Sequence, residues 1–103
     1  MTAPQLRRLL SRITTYRLSE STASLLAILH ASGETTMTDA ANALSTSSAN
    51  FTGLADRLET LGYAKRIYSK IDRRKVILAI TPRGVLALED ILNAAASSLL
   101  TGH

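Results

Sequence analysis

The stretch from Lys65 to Arg83 carries Lys65, Arg66, Lys70, Arg73, Arg74, Lys75 and Arg83, with Asp72 as its one negative charge. Cations spaced this closely gain most from a dense anion. On a line of phosphates they displace condensed counterions, and a guanidinium can also enter a narrow minor groove or grip a phosphate. Asp72 is a residue type favoured in turns, and its carboxylate is expected to hold a wing arginine or Arg57. A second set is polar rather than charged: Ser47, Ser48, Asn50 and Thr52 fall within six residues. Hydroxyls and backbone N–H groups at a helix start can bind phosphate oxygens, and the Asn50 amide can pair bidentately with an adenine edge. Thr36 and Thr38 open another helix in the same way, although capping alone accounts for Thr36.

Other chemistries find little support. The histidines are His30 and His103, and there is no cysteine. That excludes disulfides and thiolate metal sites. No serine has a plausible Ser-His-acid partnership, no histidine pair has metal spacing, and no phosphate-cradling glycine loop occurs. An enzyme is therefore not expected, and neither a cofactor nor a metal. The net charge of +4 and a pI near 10.0 favour an anionic partner. Four arginines (Arg7, Arg8, Arg12, Arg17) precede the first acid, Glu20. No apolar run reaches membrane-spanning length and the N-terminus lacks the apolar core of a signal peptide, so a cytoplasmic setting without a membrane partner is expected.

These residues need elements to position them. Pro4 followed by Leu6, Leu9, Leu10 and Ile13 at helical spacing predicts an amphipathic helix from about 4 to 17. Ser19 or Ser21 caps a second helix, about 20–32, which Gly33 ends. Thr36 with Asp39 three residues on is a carboxylate variant of the capping box, opening a short helix of about 37–44. Its inner face is small: Ala40, Ala41 and Leu44. Ser45 and Thr46 form a tight turn, and Ser47 caps a fourth helix to about Leu61, stopped by Gly62. Phe51, Leu54, Ala55 and Leu58 share its inner arc. Ala49, Asn50, Gly53, Asp56 and Thr60 share the outer one, with Arg57 at its margin.

Two short helices about three residues apart make a helix-turn-helix pattern. The stretches 63–71 and 75–81 are β-prone and meet at the polar tip Asp72-Arg73-Arg74. A hairpin directly after a helix-turn-helix is the winged-helix order. Thr81-Pro82 then opens a final helix to about residue 100. The fold class expected is mainly α with a small β-hairpin: a winged helix-turn-helix of about five helices plus a two- to three-stranded wing, in a single domain covering 1–103.

The segment from about Leu18 to Asp90 resembles the MarR family of winged-helix transcription regulators. The carrying phrases are Leu54-Ala55-Asp56-Arg57-Leu58-Glu59-Thr60-Leu61-Gly62-Tyr63 with Arg66, then Asp72-Arg73-Arg74, then Ile80-Thr81-Pro82-Arg83-Gly84. The resemblance implies a homodimer on double-stranded DNA, with paired recognition helices in successive major grooves and wings at the flanking minor grooves. The chain departs from the pattern in its short length, in Gly53 where a basic or polar residue is expected, and in Ala40 where Leu is usual. A small-molecule effector is common in that family, but no residue points to one.

The DNA-binding set expected on these grounds is Thr36, Ser47, Ser48, Asn50, Thr52, Arg57, Lys70, Arg73, Arg74 and Lys75. The final helix is apolar around much of its circumference, and a second subunit is the simplest cover. The dimerisation set is Leu6, Leu9, Leu10 and Ile13 from the first helix, with Leu88, Ile91, Leu92, Leu99 and Leu100 from the last. The competing expectation is a winged-helix module that binds another protein through its apolar terminal helices and makes no DNA contact. His30, the three tyrosines Tyr16, Tyr63 and Tyr68, and the strand residues Lys65 and Arg66 are read as packed or surface residues.

Overall fold

The computed structural model describes residues 2–72 and 74–100, with the side chains of 2–72 and 74–96. Arg73 and the Leu99 and Leu100 side chains lie outside the described residues. The elements run α1 (Ala3–Thr15), α2 (Glu20–Ser32), β1 (Glu34–Thr36), α3 (Met37–Ala43), α4 (Ser48–Thr60), β2 (Ala64–Tyr68), β3 (Val76–Ile80) and α5 (Pro82–Leu100).

Caps set most of the boundaries. Thr2 and Gln5 form a reciprocal capping box at α1, and Ser19 with Thr22 forms another at α2. Ser19, not Ser21, is thus the α2 cap. Thr36 Oγ1 accepts from Asp39 N at 3.1 Å, but no return bond completes the anticipated box. Ser47 Oγ accepts from Asn50 N at 3.2 Å and starts α4. Gly33 and Gly62 take positive φ (78° and 81°) just beyond α2 and α4, as a helix stop requires. α1 ends two residues earlier than its spacing suggests. Arg17 adopts φ 62° and Leu18 N–H reaches back to Ile13 O, which turns Leu18 into the core.

β1 is the third strand that the two- to three-stranded wing allowed for, at a position the sequence reading did not give. It pairs antiparallel with β3, Glu34 opposite Ala79 and Thr36 opposite Ile77, so the hairpin becomes a three-stranded sheet ordered β1-β3-β2. The paired strands β2 and β3 run from Ala64↔Ile80 to Tyr68↔Val76 and are shorter than the β-prone stretches.

One apolar core joins the helices to the sheet: Leu25, Leu26 and Leu29 of α2, Phe51, Ala55 and Leu58 of α4, Leu78 of β3, and Ala87, Leu88 and Ile91 of α5. α1 lies along α5, and Ile13 enters the same cluster. This pairing has a polar latch. Tyr16 Oη donates to Asp90 Oδ2 at 2.5 Å, and Arg12 stands 3.8 Å from the same oxygen.

The Asp90 hydrogen bond, with partial burial adding to it, raises the Tyr16 pKa above its ordinary value of 10.0. The folded chain therefore keeps this proton to higher pH than the unfolded chain. The latch contributes fully below the ordinary value, and its contribution is lost as pH rises through the raised one. Tyr16→Phe should remove this part of the alkaline loss of stability, measured by circular-dichroism melts on either side of about pH 10. An alkaline limb of unchanged depth in the variant would assign the loss to other groups.

Candidate nucleic-acid interface

α3, α4 and the hairpin meet around a single groove. Its lining includes Thr36, Thr38 and Asp39 at the start of α3, Thr52 of α4, Arg66 and Tyr68 of β2, and Arg74 and Lys75 of the hairpin. Thr36, Thr52, Arg74 and Lys75 of the expected set are thereby brought together. Ser47, Ser48 and Asn50 are exposed at the start of α4, and Lys70 is exposed on the hairpin. The Asn50 backbone N–H is used by the cap, while its side-chain amide has no hydrogen bond among the described residues. Thr52 is exposed, but its hydroxyl donates back to Ser48 O at 2.9 Å.

The hairpin tip is built by its own polar groups. Ser69 Oγ accepts from Ile71 N and Asp72 N, and Lys75 N–H closes on Asp72 O at 3.0 Å. Asp72 Oδ1 accepts from Arg74 N at 3.0 Å and from Arg74 Nε at 3.3 Å. The anticipated partner of Asp72 is thus a wing arginine. Arg74 remains 93% exposed, so the pair orients the guanidinium without covering it. An ion pair this exposed adds little stability.

Arg57 is exposed and, like Ser47, Ser48, Asn50 and Lys70, lies outside the groove lining. Its Nη2 donates to the Arg17 carbonyl at 3.4 Å, which places the guanidinium at the α1–α2 joint. Tyr63 serves the same joint: its hydroxyl donates to Tyr16 O at 3.2 Å, and the two rings pack edge to face with centroids 6.4 Å apart. Tyr68 stands apart from them, largely exposed on β2. His30 lies at the surface, 3.7 Å from Glu89.

Arg66 is the residue whose role the sequence concealed. It is only 17% exposed, its Nη2 lies 2.8 Å from Asp56 Oδ1, and its Nη1 bonds Glu59 Oε1. Its backbone N–H also donates to Glu59 Oε2 at 3.3 Å. Burial alone would lower the Arg66 pKa, but the hydrogen bonds and charges of the two carboxylates outweigh it and hold the value above the ordinary one. One cation therefore fastens β2 to α4 and pairs with both acids of the α4 face, offsetting one of their two negative charges. Asp56 and Glu59, three apart, do share a flank of a helix, which was the available signal.

The terminal-helix residues divide. Ile13, Leu88 and Ile91 are buried in the chain's own core, Ile91 to 1% exposure, and have almost no surface left for a partner. Leu6, Leu10 and Leu92 are each about half exposed, and together with Leu9 and Ala27 they line an apolar groove between α1, α2 and α5.

A short helix pair, a capped second helix with an exposed outer arc, and a hairpin whose cations border the same groove define a winged helix-turn-helix protein. The chain belongs to the MarR family, whose model matches residues 18–76. It is 40% identical over 57 residues to the uncharacterized HTH-type transcriptional regulator YfiV of Bacillus subtilis, a match covering 55% of this chain and 36% of that protein. The fold is similar to that of the YusO protein from Bacillus subtilis (TM-score 0.84, 21% identity, 95% of this chain and 70% of that one). It is also similar to the S. aureus MepR–DNA complex (TM-score 0.87, 18% identity, 93% and 79%).

Among the described residues no cluster of His, Cys, Asp or Glu could hold a metal ion, and no helix is long and apolar enough to cross a membrane.

Proposed function

We propose that this chain binds double-stranded DNA in a sequence-selective manner and regulates transcription as a homodimer. One observation carries the reading: the start of α3, Thr52 of α4 and the Arg74–Lys75 end of the hairpin border a single groove, with Ser47, Ser48 and Asn50 exposed at the start of α4. A helix can occupy a major groove while a projecting cationic hairpin reaches the neighbouring phosphates or minor groove. The similarity to MepR, whose structure is that of a DNA complex, supports the same use of the fold. In this reading α4 is the recognition helix. Ser47, Ser48 and Thr36 supply phosphate contacts, Asn50 reads a base, and Lys70, Arg73, Arg74 and Lys75 neutralise phosphates.

Residues 1–103 act as one winged-helix domain. The second subunit covers the apolar groove on which Leu6, Leu10 and Leu92 are exposed. In a dimer the half-sites stand about 10 base pairs apart or a multiple of that.

The test is binding to duplex DNA across a salt series. Wild type should bind random duplex at low salt, with affinity falling as salt rises. Arg73→Ala with Arg74→Ala should lower affinity on every sequence by roughly tenfold and flatten the salt slope by up to about one unit per lost phosphate contact. Unchanged affinity in the double variant would remove the hairpin from the interface.

The exposed leucines favour one other reading, an interaction module that docks a protein partner without touching DNA. No gel shift on random duplex at micromolar protein and low salt would select it.

A further inference from the structure

We propose that Gly53 is the specificity-determining position of α4, where the bare helix surface receives the 5-methyl group of a thymine. The inference rests on the DNA-binding reading above. Glycine is the least favourable helix-interior residue after proline, so it needs a reason. The other described glycines have one within the chain. Gly33 and Gly62 take positive φ, and a Cβ on Gly84 would lie 2.2 Å from Tyr63 O. Gly53 has neither. It takes no positive φ, and an added Cβ would meet nothing within 4 Å. It is exposed in the middle of α4, on the arc that also carries Asn50, whose amide is unbonded among the described residues.

Among the described residues nothing occupies the space beyond Gly53, and we take its occupant to come from outside. A side-chain-free position can form no side-chain hydrogen bond, and its backbone groups are engaged in the helix. It offers only van der Waals contact. The one apolar feature on the major-groove floor is the thymine methyl. Phosphate contacts at the α4 start and at the hairpin hold the helix depth from both sides. A Cβ at 53 would then stand between helix and methyl. Asn50, one turn earlier on the same arc, would read an adjacent adenine.

The experiment uses a duplex selected from a random pool by the wild-type protein, with random duplex as reference. Gly53→Ala should melt higher, by about 4–8 °C from helix propensity. It should bind random duplex as wild type does, yet lose about tenfold on the selected duplex. Replacing thymines of the selected duplex one at a time by deoxyuridine should reveal a position that costs wild type several-fold and costs Gly53→Ala nothing further. Equal binding of the selected duplex by both proteins would overturn the proposal, as would a selected duplex indifferent to every deoxyuridine. Failure of wild type to bind or enrich any duplex would instead overturn the DNA reading itself, and this proposal with it.

Discussion

Arg66→Ala should weaken duplex binding by roughly 100-fold at low salt, a larger loss than removing two exposed wing arginines. Counting cations alone predicts the opposite, because Arg66 is mostly covered. The difference lies in what Arg66 covers. Asp56 belongs to the outer arc of α4 and is 61% exposed, and Glu59 lies one turn on. With Arg66 in place their net charge is halved and both are engaged in short contacts. Without it, two carboxylates face the phosphates from the recognition helix, and β2 loses its fastening to α4. Repulsion between exposed charges is screened, so the deficit should shrink as salt rises toward 1 M. Arg66→Ala combined with Asp56→Asn and Glu59→Gln separates the two effects. The triple variant should regain most of the affinity if exposed carboxylates are the cause. A triple variant as weak as Arg66→Ala would assign the loss to displacement of the hairpin. Arg66→Lys should fall between, because an ammonium cannot span both acids as a planar fork does.

Gly84→Ala should destabilise the fold by about 3 kcal/mol, the upper end of overpacking costs. For a chain of this size that lowers the melting temperature by roughly 12–24 °C. In an open helix the same change would stabilise by about 1 kcal/mol, so the sterics must overcome propensity. They do so because the obstacle is backbone. The added Cβ would lie 2.2 Å from the Tyr63 carbonyl oxygen and 2.9 Å from Ile80 Cγ1. That carbonyl accepts from Thr81 N at 3.0 Å and cannot withdraw freely. The Thr81 hydroxyl compounds the constraint, donating to Gly62 O at 2.6 Å while accepting from Gly84 N at 3.1 Å. The end of α4, the start of β2 and the start of α5 are thus held at one point. Thermal melts of Gly84→Ala beside Gly53→Ala compare one chemical change with opposite expected signs. A Gly84→Ala protein as stable as wild type would show that this close approach is relaxed in solution.

The five helices were legible because each carries a local start signal: Pro4, Ser19 or Ser21, Thr36, Ser47, and Thr81 with Pro82; the Thr2 cap was not among them. The hairpin was legible from its β-prone flanks and polar tip. β1 was not, because three residues hold no periodicity and Glu34–Thr36 is extended only through pairing with β3 far along the chain. The same division applies to the site. Ser47 is marked by local chemistry as the α4 cap, and Arg74 and Lys75 by the polar hairpin tip on which they stand. Arg57 and Arg66 depend on which neighbour the fold delivers. Arg57 receives the Arg17 carbonyl, and Arg66 receives Asp56 and Glu59. Nor does helical spacing tell Ile13 and Ile91 from Leu6 and Leu92. It identifies an apolar face, while the fold decides which part of that face the chain covers itself.

The strand order β1-β3-β2 also bears on solubility. Val76–Ile80 is the kind of uncharged, strongly β-prone run that seeds fibrous association when its backbone is free. Here it is the central strand, with both of its sides occupied. The outer strands give a stray chain little to template on. β1 is three residues long and leads straight into α3, and on β2 the Arg66 N–H is occupied by Glu59 beside the charge of Lys65. Short, charged or blocked margins of this kind keep β-sheets from joining one another.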